Sequence, residues 1–323
     1  MACFCHVNGI EVKDAKARPV ANLLELKLKK NLEVGNVITT MGYHRANDGG
    51  MSRYLIRPID ELDIDDGGST IIINDNLTAE MLLSDNESVN ARQYGAKGDG
   101  VTDDSVALQN LLTNNSNVVI ANGTYVVSQS LKLKNNQIIT LINATIISTK
   151  KYSDEPILWA LGVKDVHING INSTVRYAST GENQTIMKIE FGNNIHIKGL
   201  TFDAFTSAIE ILDSEETPSD LIMIKDCIFI HTDSNLYDAE VFTISEHAKN
   251  VFTDDNFLVI GTAHNFDKLP NVGYEDDDQV DLGEPDEEPD GEDPEELPGT
   301  DDPDHNGDRE PTGDDDQVDL GNP

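Results

Sequence analysis

The sequence predicts an all-β protein whose central part winds as a right-handed parallel β-helix with a short N-terminal α-helical cap. A small β-rich module precedes the helix and a disordered acidic tail follows it. Three observations carry this reading. A strand-like unit recurs through the middle of the chain, a capped helical segment stands directly before it, and acidic residues and prolines are concentrated at the C-terminal end. The boundaries fall at 1–84, 85–267 and 268–323.

The chain has 323 residues and a formal net charge of −36. Of this, −22 lies between Glu275 and Pro323, where 23 acidic residues face one basic residue, Arg309. The body is thus moderately acidic. Such a balance argues against nucleic acid as a partner, because phosphate recognition needs clustered Lys and Arg. It argues equally against anionic membrane surfaces. The N-terminus lacks the apolar core and small-residue cleavage site of a secretory signal, and no apolar run is long enough to cross a bilayer. Three cysteines (Cys3, Cys5 and Cys227) make no disulfide framework. The expectation is a chain made and folded in a reducing cytoplasm.

Within 1–84, Leu23 to Lys30 starts apolar and then alternates. Glu33 to Ile38 reads as a turn entering a strand. Asn47-Asp48-Gly49-Gly50 and Asp65-Asp66-Gly67-Gly68 are turn signals, and Tyr54-Leu55-Ile56 and Thr70-Ile71-Ile72-Ile73 read as short strands.

The repeat dominates 85–267. Ile139-Thr-Leu141-Ile-Asn143, Val166-His-Ile168-Asn-Gly170, Ile195-His-Ile197-Lys-Gly199, Ile222-Met-Ile224-Lys-Asp226 and Val251-Phe-Thr253-Asp-Asp255 align. Their centres are 27, 29, 27 and 29 residues apart. Val118-Val-Ile120-Ala-Asn122 is an earlier copy, 21 residues ahead. Period-two alternation indicates a strand, and the Asn, Gly or Asp that follows indicates a bend. A coil that cannot bury its own apolar face must stack on neighbours, which makes a solenoid. The predicted interior column is Leu141, Ile168, Ile197 and Ile224. Leucine-rich repeats are the alternative, but their Leu/Asn spacing is missing.

The open end of such a stack needs a cover. Thr102-Asp-Asp-Ser-Val-Ala-Leu-Gln-Asn-Leu-Leu112 supplies a helix, with Thr102, Asp103 or Asp104 as N-cap. Val106, Leu108, Leu111 and Leu112 are its expected apolar side.

Val89-Asn-Ala-Arg-Gln-Tyr-Gly-Ala-Lys-Gly-Asp-Gly-Val-Thr-Asp-Asp104, running into Ser105-Val-Ala-Leu-Gln109, resembles the opening motif of the pectate-lyase-like superfamily. The likeness is to the version found in bacteriophage tailspikes, preneck appendages and tail fibres. The segment from Leu32 to Gly68 is similar to the short module that precedes the β-helix in many phage tail proteins. The resemblance implies a virion structural protein made in the host cytoplasm, serving assembly or host adsorption. Its implied partners are other virion proteins and bacterial surface polysaccharide, in a homotrimer, with no nucleic acid and no membrane. The alternative it implies is a polysaccharide depolymerase. A non-viral carbohydrate-binding β-helix would need exposed aromatic rows, and Trp159 is the one tryptophan.

Fold does not decide between these, so the distinction rests on the individual carboxylates. Asp226 and Asp255 share a column, and paired carboxylates are what glycoside hydrolysis uses. The simpler reading of that column is a bend, because Asp and Asn bond local backbone there. Asp203 and Asp213, with Glu210, form a second candidate set on the outer face. The Gly-His-Gly and Arg-x-Lys elements of galacturonase-type members are missing, and Arg176 is the sole arginine between residues 93 and 308. His167 and His196 share a column expected to be outward and solvated. Cys3, Cys5 and His6 lack a clear fourth metal ligand. In the tail, Asp302, Asp304 and Asn306 match the first half of a calcium loop, but Gly313 stands where a bidentate Glu is needed. No cofactor is expected beyond loosely bound divalent cation such as Ca. The tail also carries DDDQVDLG twice, at 276–283 and 314–321. This duplication suits either bivalent docking on a basic partner or a solubilising spacer.

Overall fold

The computed structural model describes residues 6–7, 9–13, 19–84, 87–150, 155–179, 183–231, 240–260 and 266–268. The expectations for the acidic tail, including Asp302, Asp304 and Asn306, and for Cys3 and Cys5 lie outside these residues.

A two-stranded hairpin, β1 (His6–Val7) and β2 (Ile10–Glu11), comes first. Helix α1 (Leu23–Leu28) follows where the sequence showed only a mixed pattern. Its start explains it: the Asn22 side chain accepts from the Glu25 amide at 2.8 Å, and the Glu25 carboxylate accepts from the Ala21 amide at 2.6 Å. Leu23 and Leu26 are its buried residues. Then β3 (Val37–Thr40), β4 (Ser52–Pro58), β5 (Thr70–Asn74) and β6 (Leu77–Met81) form an antiparallel sheet in the order β3-β4-β6-β5. Arg57 ties this sheet together. It donates to both oxygens of Asp63 at 2.7 and 2.6 Å and to Glu80 on β6 at 2.7 Å. Asp63 also accepts from the Asp60 amide and the Thr78 hydroxyl.

The solenoid begins with β7 (Val89–Asn90), β8 (Asp99–Asp103) and α2 (Ser105–Asn114). The coils then run through β9 (Asn117–Val127), β10 (Leu131–Lys132), β11 (Gln137–Ser148), β12 (Leu158–Leu161), β13 (Lys164–Tyr177) and β14 (Thr185–Glu190). They continue through β15 (Asn193–Asp203), β16 (Ser207–Leu212), β17 (Asp220–Lys225), β18 (Ile228–His231), β19 (Glu240–Ile244), β20 (Lys249–Asp254) and β21 (Phe257–Ile260). Strands β9, β11, β13 and β15, and after them the pairs β17/β18 and β20/β21, stack in parallel as one long sheet. Strands β10, β12, β14, β16 and β19 stack in parallel as a second. This is a parallel β-helix. At its far end β22 (Phe266–Lys268) pairs antiparallel with β21, so a strand of opposite direction lies along that edge.

The register corrects one member of the predicted interior column. Ile168, Ile197 and Ile224 are vertical neighbours and are buried, but Ile139, not Leu141, sits beside Ile168. Leu141 is also buried, two residues further along, beside Ile120 and Gly170. The observed column is Val118, Ile139, Ile168, Ile197, Ile224 and Thr253. Sequence alignment placed the offset one coil too early, because the irregularity lies in β13. Between the pairs Asn169/Lys198 and Ser173/Leu200, β13 spends three residues (Gly170, Ile171 and Asn172) where β15 spends one, Gly199. The two glycines are needed there. A Cβ on Gly170 would stand 2.7 Å from the Gly199 carbonyl oxygen, and one on Gly199 would stand 2.5 Å from that of Gly170.

Two columns of left-handed backbone run along the coils. One corner column is Asn122, Asn143, Asn172, Gly199, Asp226 and Asp255, and the other is Asn136, Asp165, Asn194, Leu221 and Asn250, all with positive φ. Asn and Asp tolerate this region better than other side chains. They also bond vertically: Asn172 donates to the Asn143 side chain at 3.0 Å, Asn194 to Asp165 at 2.7 Å and Asn250 to Asp220 at 2.9 Å. Inside, Phe202 stacks on Phe229 with centroids 5.1 Å apart, and Phe229 meets Phe242 edge-on.

Helix α2 covers the first coil with Leu108, Leu111 and Leu112, whereas Val106 is 65% exposed and belongs to the outer side. The capping differs from expectation. Asp104 is the N-cap by position, but its side chain makes no cap bond; it accepts from the Lys97 and Gly98 amides at 2.7 and 2.9 Å and so closes the preceding glycine loop. Asp103 takes the Ser105 amide at 3.0 Å together with the Ser105 and Ser128 hydroxyls. Thr102 is no cap: it lies in β8 with its amide and hydroxyl on Asp99. Burial pushes the Asp104 carboxyl above the ordinary aspartate range.

Candidate functional site

The outward face of the second sheet holds the polar concavity of the coils. Parallel register sets Lys132, Trp159, Lys188, Glu210 and Thr243 in one vertical row. The Lys132 ammonium lies 5.3 Å from the Trp159 ring centre, and the indole N–H donates to Glu190. Lys188 and Glu210 form an ion pair at 3.5 Å. The Thr185 hydroxyl also donates to Glu210, and the Thr243 hydroxyl donates to Glu240 at 2.6 Å. Thr185, Lys188, Ser207, Glu210, Glu240 and Thr243 line an open cleft of about 420 Å³. Hydroxyls, two carboxylates and an ammonium on rigid strands can hydrogen-bond a polyhydroxylated chain from both its donor and acceptor sides. Ser207 pairs with Glu240, so Glu210 and Glu240 are three residues apart in register, with Cα atoms roughly 11 Å apart on adjacent rungs. Glu210 was legible as an outer-face carboxylate. Trp159 and Glu240 were not, because no spacing in the sequence links them to Glu210 and only the parallel register of the second sheet brings the three together.

The four aspartates singled out from the sequence are spread over the coil. Asp226 and Asp255 occupy successive left-handed corners, where Lys198 and Lys225 pair with them at 3.5 and 3.6 Å. Asp203 ends β15 and pairs with Arg176 on β13 at 3.2 Å, with its other oxygen buried. Asp213 accepts from the Ser219 amide at 3.1 Å and from the Ser245 hydroxyl, which fixes the connection from β16 to β17. These contacts give each aspartate a structural task.

His167 and His196 face outward on adjacent rungs but are half-buried, with ring centres 4.6 Å apart. Burial, and secondarily His167, pulls the His196 pKa below the ordinary imidazole value. Among the described residues no group of three or more His, Cys, Asp or Glu is arranged to hold a metal ion. Cys227 is buried among the coils, and burial pushes its thiol up to about 12.

Stacked parallel rungs with a helical cover over the first coil and a polar lateral face define a pectate-lyase-type β-helix. The family model for rhamnogalacturonase A/epimerase, pectate lyase-like proteins matches residues 88–266, more than half of the sequence, and the chain belongs to that family. It is 42% identical over 52 residues to the preneck appendage protein of Bacillus phage PZA, a match covering 16% of this chain and 6% of that protein. It is 28% identical over 128 residues to the pre-neck appendage protein of Bacillus phage B103, covering 34% of this chain and 14% of that one. The chain thus spans a small fraction of the length of these relatives. Among solved structures, the tailspike protein gp49 from Acinetobacter baumannii bacteriophage Fri1, a capsular polysaccharide depolymerase, aligns with a TM-score of 0.48 at 14% identity, over 76% of this chain and 52% of that one.

Proposed function

We propose that the protein is a structural component of a bacteriophage virion, of the appendage, tail or fibre type, that serves assembly or host-surface adsorption. The observation that carries this reading is the likeness to two phage preneck appendage proteins, at 42% and 28% identity. In this reading the module before residue 85 attaches to other virion proteins and the coils face the host. The assembly is a homotrimer, with lateral faces of the coils packed together. Antibody raised against the chain should label purified particles of the phage that encodes it, and sedimentation of the purified protein should give three times the chain mass. Particles free of the chain would overturn the virion assignment.

The lateral cleft supports a second reading, contact with bacterial surface polysaccharide, with depolymerisation as its catalytic form. The supporting observation is the row of Lys188, Glu210 and Thr243 beside Glu240. Host polysaccharide incubated with the protein should be retained without release of reducing ends. Release that disappears in Glu210→Gln, Asp226→Ala or Asp255→Ala would instead establish an enzyme.

A further inference from the structure

A second cleft, of about 350 Å³, lies where the N-terminal module meets the first coil. His44, Arg45, Asp48, Arg92, Ala96, Lys97 and Asp99 line it. Its charge chemistry is unusual for so acidic a chain. Three permanent cations border it, and none of Arg45, Arg92 and Lys97 has a carboxylate within ion-pairing distance among the described residues. The two acids beside them are committed elsewhere. Asp48 accepts from the amides of Tyr43, His44, Arg45 and Gly50 at 2.7 to 3.0 Å. Asp99 accepts from the amides of Val101 and Thr102 and from the Thr102 hydroxyl. These bonds hold both carboxyls below the usual range, so both remain anionic, but their oxygens point into turns.

Arg92 is fixed in place largely by carbonyl groups. Its guanidinium donates to Lys97 O at 2.9 Å, Asn122 O at 2.8 Å and Asp48 O at 3.5 Å. A Cβ on Gly49 would stand 2.7 Å from the Arg92 Cδ, so the turn closes directly on this side chain. His44 is held by its Nε2 against Gly95 O at 2.8 Å. The cleft therefore has a rigid floor, two long exposed cations and a lining that is net positive, since its three cations outnumber the two carboxylates held in their turns. Its size falls within the range of small-molecule sites.

We propose that this cleft binds an oxyanion carried on a sugar-sized group, a phosphosugar or a uronic acid. Arg45 and Lys97 take the acid group, and the wall formed by His44, Ala96 and Arg92 takes the ring. Guanidinium and ammonium groups recognise phosphate and carboxylate alike, which sets the shared chemistry. The assignment stands whether or not the chain is mounted on a particle, and it is separate from the lateral cleft on the second sheet.

The test is calorimetric titration of the full chain at low ionic strength with four probes: glucose 6-phosphate, glucuronate, glucose and inorganic phosphate. The sugar acids should bind at least tenfold more tightly than either glucose or inorganic phosphate. Arg45→Gln and Lys97→Gln should each weaken that binding about tenfold while leaving the melting temperature unchanged, since neither side chain supports the fold. Arg92→Gln is avoided as a primary test because it removes three structural bonds. Equal binding of inorganic phosphate would remove the sugar part of the assignment. Absence of binding by both sugar acids, or binding indifferent to both substitutions, would overturn it altogether.

Discussion

In the N-terminal module carboxylates gather the amides of the main loops, whereas in the coils vertical columns of left-handed residues set the corners. Asp48 gathers four amides around one loop, Asp66 takes the amides of Gly68 and Thr70 at 2.8 and 2.9 Å, and Asp63 binds Arg57 through both oxygens. In the coils, two columns of left-handed Asn, Asp and Gly redirect the chain, and buried columns of Ile and Phe align the rungs. The first device is local and ionic. The second is vertical and largely uncharged, so each rung is specified by the ones above and below it. The two regions should therefore fail under different challenges.

Removing a stacked ring challenges the coils most. Phe229 is fully buried between Phe202 and Phe242, and parallel pairing to β15 on one side and β21 on the other limits collapse into the space. Phe229→Ala should cost about 3–5 kcal/mol, read from denaturant unfolding. A cost near 1 kcal/mol would show that the interior is loosely packed.

The module answers to acid. Asp63 is held down at about 2 by Arg57, with the Asp60 amide and Thr78 hydroxyl assisting. A depressed carboxyl pKa contributes stability that is fully present above the unfolded value near 4 and lost as pH falls through the folded value near 2. Asp63→Asn should lower stability at neutral pH by about 2 kcal/mol, between an exposed and a fully buried pair. It should also flatten the acid limb of the stability curve between about pH 4 and pH 2. An unchanged acid limb would mean that other carboxylates dominate that window.

The contrast also explains what was readable in the sequence. Vertical repetition is visible to alignment, so Ile168, Ile197 and Ile224 could be placed in one column. The misplacement of Leu141 came from the three-for-one irregularity at Gly170, Ile171 and Asn172, which is a property of two rungs in contact. The second corner column is less legible because Asn136, Asp165, Asn194, Leu221 and Asn250 stand at the very starts of their strands and share no single residue type. Ionic closure is harder still to read. Asp104 resembles a helix cap in sequence, yet its oxygens serve Lys97 and Gly98. The cleft at Arg45, Arg92 and Lys97 depends on two segments that meet only in the fold.

The corner ladder gives a smaller effect. Asn172 combines positive φ with a bond to Asn143 across rungs. Asn172→Ala should cost about 1–2 kcal/mol from the left-handed penalty and the lost bond. Asn172→Gly should cost less, because glycine removes the conformational part. Equal losses in the two variants would assign the whole effect to the ladder.

Leu221 is the sharpest probe of the corner rule, although its effect is the smallest. It sits at φ 54 in the column otherwise occupied by Asn136, Asp165, Asn194 and Asn250, and it is 39% exposed. A branched side chain gains little there from burial and bears the full left-handed cost. Leu221→Asn should raise stability by up to about 1 kcal/mol, and Leu221→Gly by less, since glycine also loosens the unfolded chain. Thermal melting of both variants beside the parent checks the order. A fall in both would mean that the Leu221 side chain, rather than its backbone, is what this corner requires.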